Sequence, residues 1–247
     1  MGVGLTLKNQ NVRELRRLLG RRSARLEAGS FVVEGPVLIR EAVSAGWVVA
    51  AEFVAPGATP VSTGPRDSVF ELAEGVIERI ATTERPQPNL AVVRTPERRL
   101  SLEDASIVLV ADRLADPGNF GTILRSAEAS GVDAVVLTPG SVDPYNPKSV
   151  RASAGALFHV PVLEAEVDEV RSSGLRVVGT SSHLGRAHVD ADWSGRIAIM
   201  VGNEAHGLPV DAPVDDWVRI EHRGRAESLN VAMAATVILF EAMQRRA

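Results

Sequence analysis

The sequence of 247 residues contains no cysteine. This absence excludes disulfide bonds, thiolate nucleophiles and cysteine-ligated metal sites. The five histidines are His159, His183, His188, His206 and His222. No two of them are four residues apart, the spacing that places two imidazoles on one helical face for zinc. We therefore expect no metal centre.

The chain also lacks a long apolar run, because no stretch approaches the roughly 20 apolar residues that a membrane-spanning helix needs. Residues 1–10 lack the charged-then-apolar order of a secretory signal. A hydrophobic content of 45% is ordinary for a folded chain and allows a sizeable core, in one large domain or two small ones. These features predict a cytoplasmic protein with no membrane partner.

Two nucleotide-binding signatures are absent as well. No G-x-G-x-x-G opens a helix after a predicted strand, which removes the main support for a dinucleotide-dependent enzyme. Gly202 and Gly207 have the spacing of a phosphate-binding P-loop. Leu208 and Pro209 follow where that loop requires Lys and Ser or Thr, so binding of a nucleoside triphosphate is disfavoured.

Basic residues are concentrated near the start of the chain, although the net charge is −4. Between Lys8 and Leu26 there are seven basic residues and one acidic residue. Apolar residues at helical spacing predict one amphipathic helix here, with a stripe formed by Val12, Leu15, Leu18 or Leu19, and Leu26. Its basic face is either a solvated helix surface or a binding surface for RNA phosphates. The candidate RNA contacts are Arg16, Arg17, Arg21 and Arg22.

The rest of the N-terminal part is typical of a small α/β unit. Strands are predicted at Phe31–Glu34, Val48–Ala55 and Leu90–Val93, and helices at Val37–Ala45 and Ser68–Ile80. Proline and charge then interrupt the periodicity near Pro96. These patterns predict a first domain at residues 1–98, a linker at 99–105 and a second domain at 106–247.

The second domain alternates short apolar runs with helical segments. The runs are Ile107–Ala111, Ala134–Leu137, Arg176–Thr180 and Ile197–Val201. Such alternation predicts an α/β domain with a parallel sheet covered by helices on both faces. The ligand crevice of an open parallel sheet lies beyond the carboxyl ends of its strands.

Three polar motifs begin at or shortly after such strand ends. In the first, Asn119-x-Gly121-x-x-x-Arg125, Asn119 is positioned to cap a helix from about Phe120 to Ser130. Arg125 follows Gly121 by four residues, so its side chain leans over the glycine toward the crevice. Taken alone, this motif favours a plain helix cap and a surface arginine over a functional pair.

The second motif is Gly202-Asn203-Glu204-x-x-Gly207-Leu208. Gly202 permits close backbone approach, and Glu204 places a carboxylate at the crevice. The third, Ser228-Leu229-Asn230, precedes an apolar helix from Val231 to Met243, with Ser228 or Asn230 as its cap. A helix N-terminus offers unpaired N–H groups to a polar ligand, although capping alone accounts for these residues too.

In order and spacing, the three motifs together resemble those of the SpoU/TrmH (SPOUT) family of RNA ribose 2′-O-methyltransferases. The resemblance implies a C-terminal methyltransferase domain with a deep trefoil knot, S-adenosylmethionine as cofactor, and methylation of structured RNA, which is expected to be ribosomal RNA. Residues 1–98 look like the ribosomal-protein-like substrate-binding domain of rRNA-directed members. The family also implies a homodimer, and the apolar helix from Val231 to Phe240 offers more hydrophobic surface than one face needs.

Roles for individual residues follow from the same resemblance. The catalytic candidates are Asn119, Arg125, Glu204, Ser228 and Asn230. The cofactor-binding candidates are Thr180, Gly202, Asn203, Gly207, Ile220, Ser228 and Leu229. Lys148 and Arg151, in a further block that matches family members, join the candidate RNA contacts, with an exposed helix face as the alternative. Arginine stays protonated below about pH 12, so Arg125 is expected to stabilise the alkoxide while the proton passes to a phosphate oxygen, Glu204 or water.

One departure from the family pattern bears on function. Where members usually have Ile-Pro-Met before the third motif, this chain has Ile220-Glu221-His222. Charge and an imidazole therefore lie beside the expected adenine pocket. This departure supports an alternative function, that of a non-catalytic RNA-binding or ribosome-assembly protein that retains the methyltransferase fold.

Overall fold

The computed structural model describes residues 4–62, 68–96 and 100–246. Its helices, in chain order, are α1 (Gln10–Gly20), α2 (Arg22–Ala28), α3 (Pro36–Ser44), α4 (Ile77–Ile80), α5 (Pro117–Ser130), α6 (Pro147–Ala152), α7 (Val167–Ser172) and α8 (Val231–Arg246). Its strands are β1 (Ser30–Glu34), β2 (Val49–Val54), β3 (Val69–Glu71), β4 (Asn89–Arg94), β5 (Ile107–Ala111), β6 (Ala134–Leu137), β7 (Val162–Glu164), β8 (Arg176–Ser181), β9 (Arg186–Ala187), β10 (Ile197–Val201) and β11 (Asp216–Arg219).

The chain divides into two compact units. The first contains Met1–Glu97 and Tyr145–Phe158, and the second contains Arg98–Pro144 and His159–Ala247. The predicted boundary at residues 98 and 99 lies outside the described residues. The predicted second domain at 106–247 differs from this division, because residues 145–158 pack with the first unit.

The first unit is built on a four-stranded sheet of order β1-β4-β2-β3. The three predicted strands are found here, and α3 confirms the predicted helix after β1. The predicted helix at Ser68–Ile80 is found only at its end, where Ile77–Ile80 form α4, and is wrong before that. Its first part is β3, which pairs with β2 and brings Phe70 and Phe53 to a ring separation of 5.2 Å. Sheet pairing and aromatic packing thus override a helical apolar spacing.

The predicted single basic helix is instead two helices. At Arg21 the backbone is extended, with φ −130° and ψ 122°, and this break shifts the phase of α2 relative to α1. Val12, Leu15, Leu18 and Leu19 are buried as expected. Leu26 is wrong as a member of the stripe, since it is 69% exposed. Arg25 is buried in its place and donates to the carbonyl of Leu18.

Residues 145–158 are held in the first unit by aromatic and ionic contacts. The Tyr145 ring lies 4.7 Å from that of Phe31, and Trp47 Nε1 donates to the Phe158 carbonyl at 3.0 Å. Arg151 Nη1 lies 3.5 Å from the carboxylate of Glu34, whose side chain is almost completely buried. These long-range contacts explain why a segment from the middle of the chain joins the N-terminal fold.

The second unit contains a seven-stranded sheet of order β7-β6-β5-β10-β8-β11-β9, with every strand pair parallel. The four predicted apolar runs are confirmed as β5, β6, β8 and β10. β5, β6 and β10 are buried along their whole length. Because side chains alternate between the two faces of a strand, such strands need cover on both faces. On one face, Val108, Val110 and Ala198 pack with Val170 of α7.

Helices α5 and α8 pack against each other in the second unit. Ser126 Oγ lies 2.6 Å from Thr236 Oγ1 at this contact. One hydroxyl donates to the other, and the hydroxyl that accepts can donate within its own helix, Ser126 to the Thr122 carbonyl or Thr236 to the Ala232 carbonyl. The N-termini of both helices therefore have fixed positions at the carboxyl edge of the sheet.

Within the described residues, no helix is both long and apolar enough to cross a membrane. The same part of the chain contains no group of three or more His, Asp or Glu side chains arranged to hold a metal ion.

Candidate active site

Three loops carry the polar motifs of the second unit. Residues 112–116 follow β5, residues 202–208 follow β10, and residues 220–230 connect β11 to α8. The backbone N–H of Asp112 donates to the carbonyl of Val201 at 2.8 Å, which joins the ends of the two central strands. Residues distant in sequence therefore converge at one edge of the sheet, as expected for a parallel α/β fold.

The first motif begins with an aspartate cap. Asp116 Oδ1 accepts from the backbone N–H of Asn119 at 2.9 Å, and Pro117 occupies the first turn of α5. The predicted capping role of Asn119 is therefore wrong. The helix begins three residues earlier than expected, because the sequence Asp-Pro supplies both a cap and a favourable first helical residue. This start leaves the Asn119 amide available to other groups.

Glu204 binds the loop in front of α5. Its carboxylate accepts from the backbone N–H of Ala115 at 3.1 Å and of Asp116 at 2.8 Å. It also accepts from Asn119 Nδ2 at 3.1 Å. The second motif thereby fixes both the backbone and a side chain of the first.

A second amide continues this chain of hydrogen bonds. Asn119 Oδ1 accepts from Asn230 Nδ2 at 2.9 Å, and Asn230 Oδ1 accepts from the backbone N–H of Ala232 at 2.9 Å. Asn230, rather than Ser228, therefore caps α8. Because backbone N–H groups donate at one end and the Glu204 carboxylate accepts at the other, each amide has one consistent orientation.

The Glu204 carboxylate is stabilised in its charged form. Partial burial by itself would raise the pKa of Glu204, but hydrogen bonds from the Asp116 N–H, the Asn119 side chain and the Ala115 N–H outweigh it. The pKa therefore lies below its ordinary value. Near neutral pH, Glu204 is an anion that accepts hydrogen bonds and has little tendency to take up a proton.

The loop after β10 requires glycine at its start. A Cβ on Gly202 would lie 2.2 Å from the carbonyl carbon of Gly207, so the returning loop occupies the space of a side chain. Gly207 itself has a φ of +65°, in the left-handed region that favours glycine. Asn203 closes the loop, since its Nδ2 donates to the Arg113 carbonyl and its Oδ1 accepts from the Ala205 N–H. These contacts hold Glu204 at the crevice.

Arg125 lies on the exposed face of α5, one turn after Gly121. Among the residues that the structure describes, its guanidinium has no hydrogen-bond or ion-pair partner. An unpaired guanidinium presents five N–H donors in a planar fork that suits a phosphate or a developing oxyanion. Arg125 is therefore available to a substrate.

The other predicted site residues are more dispersed. Ser228 and Leu229 lie in the exposed 220–230 loop. Thr180 lies near the end of β8 and pairs with Val218 of β11. Ile220 follows β11 and lines an adjacent cleft of about 440 Å³. The cleft is lined by Ser182, His183, Arg219, Ile220, Glu221, His222, Arg223, Gly224, Ala226 and Glu227.

The predicted RNA contacts in the first unit have different surroundings. Arg16, Arg21 and Arg22 are exposed. Arg17 is exposed but paired with Glu14 at 2.9 Å and with Glu27 at 3.1 Å. The two carboxylates partly neutralise this arginine, so it contributes less positive charge to the surface than its neighbours do.

Lys148 and Arg151 also differ from each other. Lys148 is exposed on α6, whereas Arg151 contacts both Glu34 and Thr82 Oγ1. The interaction with a nearly buried carboxylate gives Arg151 a structural partner inside the first unit. Sequence patterns do not indicate this partnership, because both partners of Arg151 are far from it in sequence. They also miss the Asp116 cap, because the apolar periodicity places the start of α5 too late.

Comparison with known proteins assigns the chain to a family. The sequence model of the SpoU rRNA Methylase family matches residues 106–240, more than half of the chain. This chain belongs to the SpoU rRNA methylase family. A second family model, the MRM3-like substrate binding domain, matches residues 9–91. The resemblance of the three motifs is thus confirmed.

Similar proteins and structures cover almost the whole length. The 23S rRNA (guanosine(2553)-2′-O)-methyltransferase RlmP of Bacillus subtilis (strain 168) is 35% identical over 94% of this chain and 96% of the relative. The 23S rRNA (uridine(2479)-2′-O)-methyltransferase of Streptomyces viridochromogenes is 32% identical over 98% and 92%. The crystal structure of an AdoMet-bound rRNA methyltransferase from Sinorhizobium meliloti has a TM-score of 0.85 at 31% identity, covering 98% of both chains. This match confirms the predicted fold class.

Proposed function

We propose that this chain transfers a methyl group from S-adenosylmethionine to a ribose 2′-hydroxyl of ribosomal RNA. The observation that carries the proposal is the hydrogen-bonded series Glu204–Asn119–Asn230, with the available guanidinium of Arg125 on the same helix as Asn119. The names of the two similar enzymes given above state that they methylate 23S rRNA at a ribose 2′-oxygen. A structural neighbour is described as bound to AdoMet.

The residues of the second unit fit a nucleoside cofactor. The cleft beside Ile220 has a volume in the range of small-molecule sites, and His222 Nε2 in its lining is buried without a hydrogen-bond partner among the described residues. Backbone groups of the 220–230 and 202–208 loops would hold the remainder. When bound, S-adenosylmethionine supplies the methyl group, which passes to the 2′-oxygen as the hydroxyl proton leaves, so that S-adenosylhomocysteine remains.

In this proposal Glu204 is a positioning residue. A carboxylate with three strong donors and a lowered pKa is a poor proton acceptor. Its role is to hold the Asn119 amide and the Ala115–Asp116 backbone in one arrangement. Asn119 then presents a fixed amide to the ribose, supported from the other side by Asn230.

Arg125 stabilises charge at the reacting hydroxyl. Because arginine stays protonated, it cannot act as the base, but its donors can bind the adjacent phosphate and the developing alkoxide. The proton then passes to a phosphate oxygen or to water. Ser228, exposed beside Asn230, is assigned to the rim of the same site.

RNA binding is assigned to the basic face of α1 and α2 and to Lys148. Arg16 and Arg21 are exposed without an ion-pair partner among the described residues, and Arg22 lies beside them. Such guanidinium groups suit salt-sensitive phosphate contacts. Arg17 is assigned a smaller part because of its two carboxylate partners.

The proposal includes a homodimer. Helix α8 has apolar residues on its exposed face as well as its buried one, since Met233 is 62% and Val237 40% exposed. Leu229, just before the helix, is also exposed. Exposed apolar residues at helical spacing suit packing against a second copy of the same helix.

The proposal also includes a deep trefoil knot and a cytoplasmic location. The knot is supported by the insertion of β10 between β5 and β8, after which the chain adds β11 and returns to α5 through α8. Access to ribosomal RNA supports the location. The alternative of a non-catalytic RNA-binding protein is weakened because the Glu221 carboxylate lies near Arg219, at 3.6 Å, and is mostly exposed.

The proposal is tested by methyl transfer from labelled S-adenosylmethionine to ribosomal RNA, followed by mapping of the methylated ribose. Arg125→Ala should lower the rate constant about 10²–10³-fold, because one stabilising donor group is removed from the transition state. Cofactor affinity should stay within about twofold. Glu128→Gln, on the same exposed face of α5, is the matched control and should react normally. Absence of methylation on any ribosomal RNA would contradict the proposed reaction.

The RNA surface is tested separately by replacing Arg16, Arg21 and Arg22 with glutamine. Removal of each arginine–phosphate interaction should lower the magnitude of the log–log salt slope by roughly 0.7 to 0.9. Arg40→Gln, an exposed arginine elsewhere in the first unit, is the control. Wild-type affinity and slope in the triple variant would show that the basic face is merely solvated.

A further inference from the structure

The cleft at the end of β11 contains one polar atom that the protein leaves without a partner. His222 Nε2 is buried, and among the described residues it has no hydrogen-bond partner. Buried side-chain nitrogen atoms in folded proteins nearly always have one. His188 Nδ1 shares this property, but His188 does not line the cleft. His222 therefore combines an unsatisfied ring nitrogen with a ligand-sized space.

Charged and apolar side chains line the cleft together with His222, and the charged ones are Arg219, Glu221, Arg223 and Glu227. The neighbouring Glu221 carboxylate lies 3.6 Å from Arg219 Nη2, and its side chain is 66% exposed. This arrangement directs the negative charge toward solvent. Ile220 and Ala226 contribute apolar surface to the cleft. A neutral imidazole offers one donor and one acceptor nitrogen.

We propose that His222 binds the adenine ring of S-adenosylmethionine through Nε2. Adenine carries both ring-nitrogen acceptors and an amine donor, so either tautomer of the imidazole finds a partner. The proposal rests on the proposed function, because it assigns the cofactor to this cleft. The Glu221-His222 sequence then supplies a specific side-chain contact to the cofactor and does not mark a lost pocket.

The position of the contact on the imidazole can be tested by calorimetry with S-adenosylhomocysteine, using the full chain. A glutamine at position 222 places its terminal amide near the site of Nε2, whereas an asparagine reaches only near Nδ1. His222→Gln should therefore bind within about twofold of wild type. His222→Asn and His222→Met should each bind about tenfold more weakly, equivalent to about 1.4 kcal/mol.

A matched control comes from the same cleft. His183 also lines it but is exposed. His183→Met should bind S-adenosylhomocysteine within about twofold of wild type. Adenosine as the probe should show the same loss in His222→Met, because it retains the adenine and lacks the amino-acid part.

Several results would overturn the assignment. Wild-type affinity in both His222→Asn and His222→Met would show that the proposed hydrogen bond does not form. An equal loss in the Gln, Asn and Met variants would indicate ring packing instead of a contact at Nε2, and an undiminished affinity for adenosine in His222→Met would place the contact away from adenine. Thermal melting shows whether each variant is folded. If His222→Met is unfolded, the difference in affinity between His222→Gln and His222→Asn still tests the contact at Nε2. Failure of the wild type to bind S-adenosylhomocysteine would refute the proposed function as well. Normal binding by the wild type, with unchanged affinity in every His222 variant, would refute this inference alone.

Discussion

Replacement of Glu204 by glutamine tests the central arrangement of the site. Glutamine keeps the shape of the side chain but turns one acceptor oxygen into a donor, which must then face the N–H of Ala115 or Asp116, or the Asn119 amide. A charge-assisted hydrogen bond contributes about 1.5–3 kcal/mol when buried, and the exposure of Glu204 reduces this to about 0.5 kcal/mol each. The expected loss of stability is therefore about 1–2 kcal/mol, or about 2–8 °C in Tm.

The pH dependence of this loss has a definite sign. The folded protein holds the pKa of Glu204 below its ordinary value of 4.5. The carboxylate therefore contributes stability that is fully present above that value and is lost as the pH falls through the folded-state pKa. The difference in Tm between wild type and Glu204→Gln should be constant near neutral pH and should shrink in acid. Glu128→Gln, which removes an exposed carboxylate near the other end of α5, should show no such trend.

Methyl-transfer kinetics separate a positioning role from a proton-accepting role. If Glu204 acts through Asn119, then Glu204→Gln and Asn119→Ala should lower the rate constant by non-additive factors, and the double variant should be little worse than Asn119→Ala alone. Cofactor binding should be nearly unchanged in both. Independent, multiplying effects, or a Tm difference that does not vary with pH, would refute the reasoning.

Three further outcomes are expected. Gly202→Ala should lower the free energy of unfolding by about 1–3 kcal/mol, because the added methyl overlaps backbone, and an unchanged denaturation curve would contradict that fit. Met233→Glu with Val237→Glu should yield monomers in sedimentation experiments, and a persistent dimer would place the interface elsewhere. Arg151→Gln should destabilise the fold by about 2 kcal/mol, because the nearly buried Glu34 carboxylate loses its cationic partner. Lys148→Gln should instead weaken RNA binding and leave stability unchanged. The reverse pattern would show that Arg151 binds RNA and that Lys148 stabilises the fold.

The motifs and the central strands of the second unit could be predicted from the sequence. Ile107–Ala111 and Ile197–Val201 are apolar runs of strand length, and a strand buried on both faces needs no alternation. Residues after such strands must converge at the carboxyl edge of a parallel sheet. For this reason the sequence alone predicts Asn119, Glu204 and Asn230 at one site.

Apolar periodicity predicted secondary structure and burial less reliably where the same spacing fits more than one structure. Ser68–Ile80 has a helical apolar spacing, but the free edge of β2 recruits its first residues as a strand. Leu26 has the spacing of the apolar stripe, but the break at Arg21 rotates it to the surface. Both errors arise because periodicity describes a segment by itself, whereas pairing partners and a change of helix axis lie outside it.

The sequence by itself determined the family, the parallel sheet and the order of the three motifs along the chain. Only the tertiary structure decided how they act together. It joined Glu204 to the Asn119 amide across 85 positions, and it paired Arg151 with Glu34 from 117 positions away. Hydrogen-bond partners and pKa shifts depend on distances in space, and a chain specifies those distances only when all of its elements pack at once.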